Sequence, residues 1–215
     1  MKKFAIVLSG CGVYDGAEIQ ESVTAMLAVC RKGHSYQVFA PDISQRHVVN
    51  HLTGEEMPEK RNVIVEAARI ARGNVKNLVA FDPSQYDALL FAGGFGVAKN
   101  LSNFAIVGEN YTVHEQVAMA IDSMHRAGKP IGAMCVSPVL LADVIRGVEL
   151  TLGAPCSASK AAEKHGATHK VTTHGEVTVD TKNKVATTPC YMLDATIAQV
   201  ADGAEHIVDE LLKLM

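Results

Sequence analysis

The run Ala88-Leu89-Leu90-Phe91-Ala92 carries an apolar side chain at every position and stops at Gly93-Gly94-Phe95-Gly96. A strand sends alternate side chains to opposite faces, so one with no polar position must be covered on both. Parallel sheets flanked by crossover helices meet that requirement. Phe4–Leu8 and Tyr36–Ala40 read as two more such strands. Helical periodicity runs from about Ala17 to Lys32, from Arg61 to Arg72 and from Thr112 to Ala127, each closed by a glycine. On the first helix Ile19, Val23, Met26, Leu27 and Cys30 form one stripe, expected to face the core. Arg61, Glu66 and Arg69 are expected on a solvated face. Residues 41–60 are polar and irregular, a lid or interface element by length. Val171–Val179 and Lys184–Thr188 flank Asp180-Thr181-Lys182-Asn183 as a β-hairpin, and a helix closes the chain from about Ala195 to Leu212. With no repeat, low-complexity segment or linker, residues 1–215 read as a single α/β domain, its sheet mostly parallel with an added hairpin.

The 48% hydrophobic content suits a full core, and the formal net charge of −3 gives no footprint for nucleic acid. No apolar run approaches the roughly 20 residues of a membrane span. Met1-Lys2-Lys3 leads straight into the first strand without a signal-peptide pattern, which reads as a cytoplasmic protein. Five scattered cysteines without a C-x-x-C argue for a reducing compartment and against a disulfide scaffold or zinc ribbon.

The candidate chemistry lies at Gly132-Ala133-Met134-Cys135-Val136-Ser137-Pro138, between an apolar strand and the helical stretch Val139–Ile145. That pattern is a strand–turn–helix elbow with the cysteine at its apex and small residues around it. Pro138 suits the first helical turn, and the helix N-terminus is expected to favour the thiolate. A buried structural cysteine at a strand end is the plain alternative. The backbone N–H groups of Gly94 and Val136 are candidates for an oxyanion hole beside Cys135.

Phe91-Ala92-Gly93-Gly94-Phe95-Gly96 together with Gly132-Ala133-Met134-Cys135-Val136 resembles the ThiJ/PfpI superfamily, relatives of the class I glutamine amidotransferases. Ser9-Gly10-Cys11-Gly12-Val13-Tyr14-Asp15-Gly16, Asn50–Glu55, Ala98–Phe104 and Thr187-Thr188-Pro189 are similar to the ElbB family within it, named for enhanced lycopene biosynthesis and tied to isoprenoid metabolism. The resemblance spans essentially the whole chain. It implies a flavodoxin-like three-layer sandwich, a homodimer and a cofactor-free glyoxalase acting on a small dicarbonyl such as glyoxal or methylglyoxal. Cys135 takes the superfamily's nucleophile position, and Gly94 with Val136 its oxyanion donors. The superfamily's acidic partner falls twelve residues before Gly33, at Glu21 (33 − 12 = 21), with Glu18 the other candidate. The histidine that many members carry about 20 residues after the cysteine is absent; Gly153 stands at that position. Without it, glutamine hydrolysis lacks a general base and acid, whereas an aldehyde asks less of the thiol. A weakly catalytic regulatory or redox-sensing protein is the rival reading.

Other residues have two readings. Cys11, Tyr14 and Asp15 either shape a glycine loop or reach the pocket. Lys99 and Asn100 either start a helix or contact an anionic substrate group. His169 and His174 are surface histidines or substitute proton shuttles, and with His165 they lack the spacing and partners of a metal site.

Overall fold

A computed structural model describes residues 1–215. The strands are β1 (Lys3–Val7), β2 (Ser35–Ala40), β3 (Val48–Val49), β4 (Glu56–Met57), β5 (Val75–Asn77), β6 (Ala88–Phe91), β7 (Ile131–Met134), β8 (Glu149–Leu150), β9 (Thr168–His169), β10 (Thr178–Asp180) and β11 (Val185–Thr188). The helices are α1 (Ile19–Arg31), α2 (Val63–Ile70), α3 (Phe104–Val107), α4 (Glu115–Arg126), α5 (Pro138–Val144), α6 (Ser157–Lys164) and α7 (Ile197–Leu214). One seven-stranded sheet runs in the order β10-β11-β7-β6-β1-β2-β5. Every pairing in it is parallel except β10 with β11. The architecture is the flavodoxin-like sandwich the sequence implies.

The continuous apolar run at Ala88–Phe91 lies between β1 and β7, buried on both faces. Alternate residues along each central strand feed two separate cores. Ala5, Val7, Leu89 and Phe91 pack on the side of α4 and α5, while Phe4, Ile6, Ala88 and Leu90 pack on the side of α1 and α7. The period-two geometry of a strand makes that division, and helices on both sides close it.

Two expectations about helices change. The stripe Ile19, Val23, Leu27 and Cys30 on α1 is exposed; the buried face is Glu21, Ser22, Ala25, Met26, Ala28 and Val29. Small residues face the sheet and α7, so α1 approaches closely, and its larger side chains are left outside. On α2, Glu66 is buried rather than solvated and pairs with Arg61 and Arg69. The 41–60 segment forms the small β3–β4 hairpin, and β8 pairs with β9 in a separate two-stranded sheet. The expected hairpin keeps only its inner part, Thr178–Asp180 with Val185–Thr188, and Asp180 caps its turn by accepting from Asn183 N.

In β7, Gly132 lets α7 approach the sheet: a Cβ there would lie 2.7 Å from Leu90 Cδ1 and 2.8 Å from Leu211 Cδ1. Both obstacles are ends of flexible side chains, so Gly132→Ala is expected to fold but to lose about 1–3 kcal/mol by overpacking. Urea denaturation measures this; an unchanged midpoint would show that α7 is not held that closely.

Candidate active site

β6 and β7 end side by side, and both turns at their carboxyl ends are conformationally special. Cys135 follows β7 with φ +58°, the left-handed region that a side chain normally avoids. The turn is held from several sides. Cys135 N donates to Thr188 O at 3.0 Å, Ser137 N donates to Met134 O at 3.0 Å, and the buried Ser137 hydroxyl donates to Ala92 O at 2.6 Å. Pro138 then opens α5. After β6, Gly94 has φ +102°, and Gly93 lies so close to the Cys135 side chain and the Glu21 carboxylate that no Cβ fits there.

Glu21 reaches this point from the first turn of α1 and is fully buried. Its Oε2 accepts from Gly93 N at 3.0 Å and its Oε1 from Tyr191 N at 3.2 Å, while the Cys135 thiol lies beside the carboxyl. Burial pushes its pKa up from 4.5 to about 8, and the nearby Glu18 charge adds to the rise. The polar neighbours act in the opposite direction and are outweighed. At neutral pH the carboxyl is therefore mostly protonated. Glu18 is the N-cap of α1, its Oε2 accepting from Glu21 N at 2.6 Å; it steadies the helix start, and burial raises its pKa too.

The thiol does not follow the expectation of a favoured thiolate. Burial pushes the Cys135 pKa up, and the charges of Glu21 and Cys190 push the same way; only the nearby Gly94 amide opposes them. Removal from water outweighs the helix N-terminus. Cys135 is 7% exposed, and that remnant opens into a cavity of about 720 Å³. Gly94 and Val136 line the same cavity, and Val136 N makes no hydrogen bond within the chain.

The remaining candidates divide. Tyr14 and Lys99 line a neighbouring pocket of about 450 Å³ with His47 and Glu56, separated from Cys135 by Phe95, which borders both. Lys99 Nζ donates to Tyr14 O at 2.6 Å. Asp15 is buried and accepts from Val49 N at 2.7 Å, tying the strand-one loop to β3. Asn100 donates to Ser9 O and Asp15 O and accepts from Arg46 N. Both residues build the loop and do not line the cysteine cavity. Cys11 lies toward α2, where burial and Glu66 raise its pKa. Neither His169, in β9, nor His174, which pairs with Asp194 O at 2.9 Å, lines the Cys135 cavity. The space a histidine at position 153 would need is filled: Gly153 has φ +79°, and a Cβ there would lie 2.8 Å from Leu193 Cδ2.

Sequence reasoning passed over the cavity's walls and one of its buried groups. Phe104, Ala105, Ala158, Ala161 and Met192 come from α3, α6 and the turn after β11. Cys190 is buried with φ +43° and lies close enough to Glu21 and Cys135 for their charges to interact. Tyr191 supplies an amide to Glu21 and its hydroxyl to Gln20. Thr188-Pro189 just before them was the available signal, since it marks another turn at the same sheet end.

A parallel sheet with a cysteine elbow and a buried glutamate at its carboxyl end is the arrangement of an amidotransferase-like protein. No family model matches the chain. The human glutamine amidotransferase-like class 1 domain-containing protein 3, mitochondrial, is 43% identical over 99% of this chain and 83% of its own length. The chain belongs to that family, whose rat and zebrafish members are named ES1 proteins. Among solved structures, the isoprenoid biosynthesis protein with amidotransferase-like domain from Ehrlichia chaffeensis is 32% identical, with a TM-score of 0.92 over 99% of this chain and 100% of that one. Glyoxalase III from Candida albicans shares the fold, with a TM-score of 0.63 at 14% identity over 100% of this chain and 97% of that one. The cytoplasmic placement is overturned: the human, rat and zebrafish relatives are all mitochondrial by name. The absence of a signal-peptide pattern does not determine compartment.

A carboxyl whose folded pKa is raised stabilises the fold fully below its unfolded value and loses that contribution as pH rises through the folded value. From 4.5 to about 8, Glu21 therefore drains stability as pH increases. Between pH 5 and pH 8, Glu21→Gln is expected to gain about 3.5 kcal/mol relative to the native chain, the slope being about 1.4 kcal/mol per pH unit between the two pKa values and less near each. Urea denaturation at both pH values measures the difference; parallel pH dependences would mean that Glu21 titrates normally.

Proposed function

We propose that this chain is a cofactor-independent glyoxalase that converts a 2-oxoaldehyde to the 2-hydroxy acid through a hemithioacetal on Cys135. The observation that carries the reading is the juxtaposition of Cys135 and the fully buried Glu21, whose sulfur and carboxyl both crowd Gly93 at the floor of a cavity. A carboxylate with a pKa of about 8 is a far stronger base than an ordinary one. As the sulfur adds to the aldehyde carbon, Glu21 takes the thiol proton and the carbonyl π bond becomes the new oxyanion. The unpaired Val136 N–H and the Gly94 N–H receive that charge. Glu21 hands the thiol proton to the oxyanion, completing the hemithioacetal, and, a carboxylate again, takes the C–H proton and returns it to the neighbouring carbon through an enediol. The aldehyde carbon is oxidised and the adjacent carbonyl carbon reduced within one molecule, so no external oxidant is needed. Water cleaves the resulting thioester, releasing the hydroxy acid and the free thiol. The fold shared with glyoxalase III accords with this reading.

Glutamine hydrolysis is not part of the proposal. The cavity holds no histidine to protonate departing ammonia, and Leu193 occupies the place where one would stand. The raised Cys135 pKa favours a second reading, a weakly catalytic regulatory or redox-sensing member of this family, linked by resemblance to isoprenoid metabolism. A homodimer is also proposed: the exposed Ile19, Val23 and Leu27 stripe on α1 is the apolar face a second copy would cover. Val23→Glu is then expected to halve the mass seen by light scattering; an unaltered mass would place the interface elsewhere.

Turnover of glyoxal to glycolate decides between the two readings. Cys135→Ala is expected to abolish it and Glu21→Gln to lower kcat/KM by about 10²–10⁴-fold. In the native chain log kcat/KM is expected to climb with pH and level off above about 8, as Glu21 ionises. Undiminished turnover in Cys135→Ala would eliminate the glyoxalase reading.

A further inference from the structure

The cavity over Cys135 is much larger and more apolar than glyoxal or methylglyoxal requires. Its volume of about 720 Å³ falls within the roughly 300–1,000 Å³ of pockets that enclose drug-sized ligands. Eleven of its sixteen lining residues are hydrophobic, among them Phe95, Phe104, Ala161 and Met192. The polar groups fall into two separate places. At the floor are the Cys135 thiol and the Gly94 and Val136 amides, which suit a dicarbonyl head. At the mouth are Ser157, Lys160 and Glu109, all exposed, with Glu109 held by Lys164 at 2.6 Å. Tyr191, part-buried, turns its hydroxyl away to Gln20. A two- or three-carbon dicarbonyl would use only the floor and leave the apolar walls facing water.

We propose that the Cys135 site takes an electrophile with an apolar body; within the glyoxalase reading, on which this rests, that is a 2-oxoaldehyde bearing an aryl or long alkyl group. The dicarbonyl sits at the floor, and the apolar group lies between Phe95, Phe104 and Met192 under the small side chains of α6. Those small residues, Ala158 and Ala161, leave the room that the body fills. Each methylene buried there adds about fourfold in binding. The reaction balances as for methylglyoxal: sulfur adds, one proton moves from carbon to carbon, and water releases the acid.

The test compares methylglyoxal with phenylglyoxal, whose product is mandelate, in the native chain and in Ala105→Phe. Ala105 is exposed on α3 and lines the cavity, so the larger side chain narrows the cavity without entering the core. A kcat/KM at least 30-fold higher for phenylglyoxal than for methylglyoxal, with that ratio reduced at least tenfold by Ala105→Phe, supports the proposal. A second measurement needs no turnover: the rate at which N-phenyliodoacetamide alkylates Cys135, relative to iodoacetamide, with the exposed Cys30 as internal reference. Faster alkylation at Cys135 by the phenyl reagent, suppressed by Ala105→Phe, upholds the apolar site even if no oxoaldehyde is turned over, an outcome that overturns only the glyoxalase reading. Turnover without preference for phenylglyoxal overturns the inference and leaves that reading standing. Neither turnover nor selective alkylation overturns both.

Discussion

The carboxyl of Glu21 has left water entirely, and much of the structure around it exists to hold it there. Two backbone amides from different loops, Gly93 and Tyr191, accept the task of orienting it, and the Cys135 thiol lies beside it. The approach of β6 and β7 brings these loops together, and the missing Cβ at Gly93 leaves space for the carboxyl and the thiol. Glu18 fixes the start of α1 and thus the height of Glu21 above the sheet. The elbow at Cys135 is strained, and its strain is offset by the bonds to Thr188 and Ala92.

Burial sets the chemistry as well as the geometry. A thiol and a carboxyl side by side in an apolar setting each resist ionisation, and each resists the other's charge. The pair therefore sheds one proton much more easily than two. The resting site stores protons rather than a free thiolate. It trades stability above pH 4.5 for a base whose strength matches the proton it must move. The raised thiol pKa and the proposed reactivity are reconciled if proton transfer to Glu21 accompanies attack on the aldehyde.

The sequence made some of this legible for identifiable reasons. Continuous apolar runs at Ala88–Phe91 and Phe4–Val7 can only be doubly covered strands, and helices with glycine ends showed their limits to within a few residues. Strands of two or three residues such as β5 and β9 are too short to display a period. The core face of α1 was hidden because it is built from Ala25, Ala28 and Ser22, while the larger apolar residues point outward. Cys135 and its glycine neighbours stand in a short string, whereas Glu21 was reached only through the superfamily resemblance, counted back from Gly33. The cavity's walls arrive from α3, α6 and the turn after β11, which no local pattern connects. Burial of the thiol was equally invisible, so a helix N-terminus suggested a pKa shift of the wrong sign.

The central claim is that Glu21 carries a proton at neutral pH. Difference infrared spectroscopy against Glu21→Gln isolates the carbonyl stretch of its protonated carboxyl. The account predicts that this band is present at pH 7 and disappears with a midpoint near 8. A band already lost by pH 5, as for an ordinary solvated glutamate, would contradict it.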